Sequence, residues 1–140
     1  MALRDIKEDE LHLIKDDPVR PHISAEWRIR TGRRVWVLEK EDTVQAIVCV
    51  AFMDEVPITE EDMAWPGVDV AVFYTVWSYS KGAGREIIFE AARKIKREYA
   101  YVKRMVTLSP LTEMAEKFHL RNGAKFVRKG NTCQNFEYHL

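Results

Sequence analysis

Apolar positions along the chain follow three different rhythms. Residues 68–77, VDVAVFYTVW, are apolar at almost every position. That pattern predicts a strand buried on both faces. Upstream, RRVWVLEKEDTVQAIVCVAFMDEVP reads as two strands joined at Glu41-Asp42-Thr43. Val35 and Val37 alternate there with Trp36 and Leu38, and residues 44–52 form an apolar run rich in β-branched side chains that Pro57 ends. Downstream, Ile87, Ile88, Ala91, Ala92, Ile95 and Tyr99 recur at the i, i+3 and i+4 spacing of a helix stripe, while Arg85, Glu86, Arg93, Lys96 and Arg97 take the other positions.

Shorter signals complete the order. RMVTLSP, residues 104–110, predicts a strand that its proline ends. TEMAEKFHLRNG predicts a helix capped by Thr112 and stopped by Asn122-Gly123. AKFVRK and QNFEYHL pair across Gly130-Asn131, and ITEEDMAWPG is a loop. Near the start, Leu11, Leu13 and Ile14 suggest a short helix stopped before Pro18, and Ser24 caps a second over residues 24–30. The central strand–helix–strand unit implies a right-handed crossover and two parallel strands. The flanking hairpins make the remaining sheet antiparallel. The 140 residues suggest a single domain, 1–140.

Composition narrows the function classes. No apolar run approaches the roughly 20 residues of a membrane helix, so no membrane partner is expected. MALRDIKEDELHL lacks the apolar block of a secretory signal, which points to a cytoplasmic protein. Cys49 and Cys133 have neither disulfide-framework nor metal spacing, and Cys49 reads as a small core residue. The four histidines are scattered, and no metal is expected. Net charge is zero, yet residues 81–129 carry 13 Lys and Arg against 5 Asp and Glu, whereas residues 1–80 carry 9 against 16. The basic half suits either an anionic ligand or a well-solvated helix face.

The candidate chemistry sits between the buried strand and the long helix, in YSKGAGREII, residues 79–88. A helix N-terminus there presents amides without intrahelical partners and about half a positive charge. Glycines let a ligand approach that backbone closely. The same two glycines also suit a tight turn that holds no ligand. The GxxxxGK[ST] phosphate loop is absent, and Ile87 occupies the third glycine of a dinucleotide fingerprint.

YSKGAG resembles the [QR]xxGx[GA] pyrophosphate loop of the GNAT superfamily of acyl-CoA N-acyltransferases, with Gly82 and Gly84 on its glycine positions and Tyr79 where Gln or Arg is usual. The later TEMAEKFHLRNGA places Thr112, Ala115, His119 and Gly123 on the family's NxxAxxxYxxxG[FA] spacing. The resemblance is close over residues 68–127 and looser on either side.

The resemblance implies an α/β fold: a mixed, mostly antiparallel sheet with a central parallel pair and helices on both faces. It implies acetyl-CoA or another acyl-CoA as co-substrate and a small-molecule or peptide amine as acceptor. By the same likeness Val76, Trp77, Tyr79, Ser80, Lys81, Gly82, Ala83, Gly84, Arg85, Ser109 and Thr112 bind the cofactor. A strand amide near a bulge before the glycine loop, in residues 74–77, polarises the thioester, and His119 stands where a Tyr often protonates the leaving thiolate. Asp54, Glu55 and Asp69 are candidate bases, and Trp77, Trp65, Tyr79 and Phe52 candidate walls of an acceptor cleft.

Tyr79, Thr112 and His119 all depart from the family pattern, which keeps open a binding or structural protein without catalysis. The stretch from VFYTVWSYS onward is also loosely similar to small GNAT-like phage proteins, which would make the protein virion-associated. Nucleic-acid binding through the basic half is the least favoured reading, and the sequence leaves the oligomeric state open.

Overall fold

The computed structural model describes residues 2–139. Eight strands form one sheet: β1 (Ala2–Asp5), β2 (Arg33–Lys40), β3 (Thr43–Met53), β4 (Val70–Ser78), β5 (Arg104–Thr107), β6 (Ser109–Pro110), β7 (Lys125–Lys129) and β8 (Cys133–Tyr138). Strands β1 to β5 lie side by side in sequence order. Both β5 and β6 pair with β8, whose other partner is β7. Among the described residues only β4 and β5 are parallel, joined over the sheet by α2 (Ala83–Glu98). The other helices are α1 (Ala25–Arg28) and α3 (Glu113–Arg121).

Local chemistry explains the joints. The β2–β3 hairpin turns at Glu41 and Asp42, both at positive φ (51° and 61°), the handedness that matches the twist of a two-residue hairpin. Ser24 and Thr112 cap α1 and α3 by accepting from the amides of Trp27 and Ala115. Gly82 and Gly123, at φ 82° and 94°, flank α2 and α3 where a side chain would be strained.

Three expectations need correction. The sequence pattern does not predict β1, which pairs along the sheet edge and whose Arg4 bridges Glu39 of β2 and Glu10, each at 2.8 Å. The first helix is a 3-10 segment, Glu8–Asp16. The strand over residues 104–110 is broken at Leu108, with consequences described below.

Apolar side chains cover both sheet faces. On one face Ile87, Ile88, Ala91 and Ile95 of α2 pack on Trp36, Val48, Val50 and Phe73. On the other, Ile14 and Trp27 cover Val37, Ile47, Val72 and Tyr74. This second face also buries charge. Asp17 Oδ2 meets Arg28 Nη1 at 2.7 Å, with both side chains fully enclosed. Asp17 Oδ1 accepts from the amides of Val19 and Arg20 and from Thr75 Oγ1. Cys49 is indeed a core residue, but its sulfur also touches Arg28 Nη1 at 3.5 Å. Burial pushes its thiol up to about 11, so it stays protonated.

Burial opposes the charged form of Asp17, yet hydrogen bonds from Arg20, Arg28, Val19 and Thr75 outweigh it and hold its pKa below the usual value. A depressed carboxylate contributes stability that is fully present above its unfolded pKa, about 3.9, and is lost as pH falls through the folded value. Asp17→Asn leaves Arg28 buried without a counter-charge and is expected to cost about 3–5 kcal/mol. Urea denaturation at pH 7 tests this. The variant's stability should also fall less steeply than the wild type's below about pH 4. A loss under about 1 kcal/mol, the range of an exposed pair, would contradict the role given to the pair.

Candidate functional site

Strands β4 and β5 pair only from Val70 to Phe73 and from Arg104 to Thr107. The last bond between them runs from the Leu108 amide to the Phe73 carbonyl, 3.1 Å. Beyond it the strands part and leave a cleft of about 680 Å³. Val76, Trp77 and Ser78 form one wall, Leu108, Ser109 and Pro110 the opposite one, and Phe118 and His119 of α3 close a third side. Gly84 of α2 lines one part of the cleft and Pro18 and Val19 another. Among the described residues, no ionised side chain lines it.

The main chain of β4 changes parity as it enters this cleft. Val50 pairs with Phe73, but the next residue back, Cys49, pairs with Thr75. Tyr74 is therefore the extra residue of a β-bulge. The side chains register the switch. Val70, Val72 and Tyr74 belong to one face, and after the bulge Trp77 joins them; Ala71 and Phe73 belong to the other, joined by Val76. Past the bulge the Tyr79 amide donates to the Gln45 carbonyl at 2.8 Å. Antiparallel alternation then turns Trp77 and Thr75 toward β3 and Val76 and Ser78 away from it. The Val76 and Ser78 amides consequently face the gap where β4 has no neighbouring strand.

At the cleft's end the chain turns through Tyr79, Ser80, Lys81 and Gly82 into α2. Ala83 donates to Ser80 O and Glu86 to Gly82 O. Among the described residues, the amides of Gly82, Gly84 and Arg85 have no acceptor within the chain. Gly82 carries no capping side chain. A Cβ on Gly84 would lie 3.4 Å from the Phe118 ring, an ordinary contact that places α3 beside the helix mouth. Lys81 and Arg85 are exposed beside it; Arg85 lies over Phe89 and reaches Asn122 Oδ1 at 3.4 Å. The Tyr79 side chain turns away from this mouth. Its hydroxyl accepts from Trp77 Nε1 at 3.0 Å and donates to Asp16 Oδ2 at 2.8 Å.

On the α3 wall, His119 Nδ1 lies 2.7 Å from Tyr138 Oη, and the ring stacks on Phe136. Burial lowers its pKa to about 4, so the imidazole is neutral at pH 7. Burial also raises the Tyr138 phenol, which favours the O–H donating to Nδ1 and the proton of the ring sitting on Nε2. Ser109 Oγ donates to Thr107 Oγ1 at 2.8 Å, and the Thr112 hydroxyl is engaged as the α3 cap.

The structure thus gathers Val76, Trp77, Gly84, Ser109, Thr112 and His119 around one cleft. Tyr79, Ser80, Lys81 and Gly82 lie on the turn at its end, and Ala83 and Arg85 in the first turn of α2 that follows. The other candidates do not converge. Phe52 pairs with Ala71 at the far end of β4 and stacks on Tyr99. Asp54 accepts from the Val68 amide, and the Asp69 carbonyl accepts from Lys103, at that same far end. Trp65 is 80% exposed. Two residues that contact the bulge, Asp17 and Arg20, had no signal in the sequence, where DDPVRPH marks only the end of a short helix before Pro18.

No protein-family model matches the chain, and no curated protein matches it by sequence. Solved structures do. A malonyl-CoA decarboxylase from Agrobacterium vitis superposes with TM-score 0.67 at 20% identity; the match covers 84% of this chain and 35% of that one, so the chain spans about a third of its length. An acetyltransferase from Thermus thermophilus superposes with TM-score 0.67 at 13% identity over 99% of this chain and 96% of that one. A GNAT family acetyltransferase from Elizabethkingia anophelis, with acetyl-CoA bound, gives 0.64 at 8% over 97% and 94%. The likeness to phage proteins gains no support from these structures. A mixed sheet that opens beside a helix mouth, superposing over nearly full length on such enzymes, gives this chain the GNAT acetyltransferase fold.

Proposed function

We propose that the protein is an acyl-CoA-dependent N-acyltransferase, with acetyl-CoA as the leading donor and a small-molecule or peptide amine as acceptor. One observation carries the reading: unpartnered amides of Gly82, Gly84 and Arg85 stand at the end of a cleft whose wall presents the Val76 amide. The fold of the acetyl-CoA-bound relative supports it.

In this reading the α2 mouth holds the diphosphate of the donor, with Lys81 and Arg85 adding charge. The place of the usual Gln or Arg is taken by Tyr79, whose side chain is engaged elsewhere, so the grip rests on main-chain amides. The apolar cleft takes the pantetheine arm. The Val76 amide donates to the thioester oxygen and stabilises the charge that grows there as the amine attacks. A C–N bond forms, the C–S bond breaks, and the departing sulfur meets the neutral His119, whose Nε2–H is a hydrogen-bond donor. A proton acid it is not at pH 7, since a pKa near 4 leaves about one imidazole in a thousand protonated. With no carboxylate on the walls among the described residues, the acceptor loses its proton to solvent.

A second reading draws on the malonyl-CoA decarboxylases of this fold, three of which are 20–22% identical over 84–85% of the chain. A malonyl thioester would lose its carboxylate as CO2, the electron pair would pass into the thioester oxygen held by the Val76 amide, and solvent would return a proton to carbon. Walls without ionised groups disfavour a carboxylate and so favour its loss.

Calorimetry with acetyl-CoA and malonyl-CoA, followed by thiol release with and without an amine panel, tests both. Micromolar binding and amine-dependent thiol release support the transferase; amine-independent loss of CO2 supports the second reading; absence of binding removes both. Gly84→Glu keeps a helical backbone but sets a carboxylate at the helix mouth, and it is expected to abolish the binding heat while circular dichroism stays native.

The pH dependence follows from the walls. With an alkylamine acceptor, kcat/KM should rise about tenfold per unit from pH 7 to 9, tracking the free amine. His119 should titrate near 4 by imidazole NMR, so no inflection falls at 6.5. A rate that follows a group at 6–7 would contradict the assignment of a neutral His119.

A further inference from the structure

The bulge that turns the Val76 amide to the cleft leaves a cost behind it. The Tyr74 carbonyl has left the regular β3 ladder, and a buried carbonyl without a donor is unfavourable. Arg20 supplies that donor from outside the sheet. Its side chain is 2% exposed, and Nη1 donates to the Tyr74 carbonyl. Its other nitrogens are held as well: Nε on Glu60 Oε1 at 2.9 Å, and Nη2 against Cys133 Sγ at 3.6 Å. Three residues earlier, Asp17 takes the hydroxyl of Thr75, the second residue of the bulge, at 2.9 Å. Pro18 and Val19, between the two, form part of the cleft lining. The segment from Asp17 to Arg20 therefore grips both bulged residues.

The alternative register shows what the grip decides. Without the extra residue, alternation along β4 would turn the Val76 amide into the β3 ladder and present Thr75 and Trp77 to the gap. Trp77 would then leave the face where it now packs with Tyr74 and Ile47.

We propose that Arg20 is a positioning residue for acyl transfer: by holding the Tyr74 carbonyl off β3, it fixes the parity that aims the Val76 amide at the thioester oxygen. This rests on the acyl-CoA reading above. Arg20 touches neither donor nor acceptor; it acts through the main chain of β4. Glu60, itself shared with His22 at 2.8 Å, orients the guanidinium.

The test combines turnover with the infrared carbonyl band of bound acetyl-CoA labelled with 13C at the thioester. In the wild type the band should lie below that of free acetyl-CoA, because the Val76 amide polarises it. Arg20→Met should keep acetyl-CoA affinity within about threefold, since the α2 mouth is untouched. Its turnover should fall by about 10²-fold, the scale of losing one oxyanion donor, and its carbonyl band should return toward the free position. Arg20→Lys, which keeps a donor for the carbonyl, should recover part of both, and Glu60→Gln should fall between Lys and wild type. Should Arg20→Met not fold, the graded series of the other two carries the same comparison. Variants that remain folded with an unshifted band contradict the inference even if turnover drops, because a merely structural residue would do that. A wild type that neither binds acetyl-CoA nor shifts its band contradicts the acyl-CoA reading, and this inference with it.

Discussion

A strand that loses its neighbour must satisfy its amides by other means, and that constraint shapes this protein. β4 is paired on both sides as far as Phe73, then continues with β3 alone while β5 diverges. Water or a ligand must take the groups left facing the gap. The bulge at Tyr74 decides which groups those are. The turn after Ser78 brings the unpartnered amides at the start of α2 to the same opening. Two sets of main-chain donors, one on a strand and one on a helix mouth, thus address one cleft in whose walls, among the described residues, no side chain is ionised.

Both sheet faces serve this arrangement. The α2 face is apolar, and Ala83 at the helix mouth is buried in the same cluster as Phe73 and Val48. The opposite face accepts three buried arginines and a buried aspartate, an expensive choice that packing alone does not require. Arg33 stacks on Trp27 and donates to the Met63 carbonyl, while the other contacts converge on the bulge: Arg20 on the Tyr74 carbonyl, Asp17 on the Thr75 hydroxyl, and Arg28 on Asp17 and on the Arg20 carbonyl. The polar network is best understood as what holds β4 in an irregular register that an apolar core would let slip.

Much of the architecture was legible in the sequence because its signals are local. The stripe of Ile87, Ile88, Ala91 and Ile95 specifies α2, and the apolar run 68–77 specifies a doubly covered strand. The glycines at 82 and 84 mark the turn between them. Strand β1 was hidden because Arg4 and Asp5 carry charges, and only the partners Glu39 and Glu10 make Arg4 compatible with an edge strand. The bulge was implied only by the family resemblance. Tyr74 and Thr75 are ordinary strand residues, and nothing in VFYTVW itself says that one of them is extra. Its position needs the register against β3. Arg20 and Asp17 gave no signal, because a charged residue in a Pro-containing segment is usually solvated. His119 was legible as a position but not as a state, since its neutrality depends on enclosure by Phe118, Phe136 and Tyr138.

In the proposed function, main-chain donors of β4 and α2 together receive an acyl-CoA. Amide spectra of 15N-labelled protein during a titration with acetyl-CoA put that to the sharpest trial. The Val76, Ser78, Gly82, Gly84 and Arg85 signals should move together and saturate at a common concentration. Saturation at other amides while these five stay still, or no saturable change at all, would contradict it.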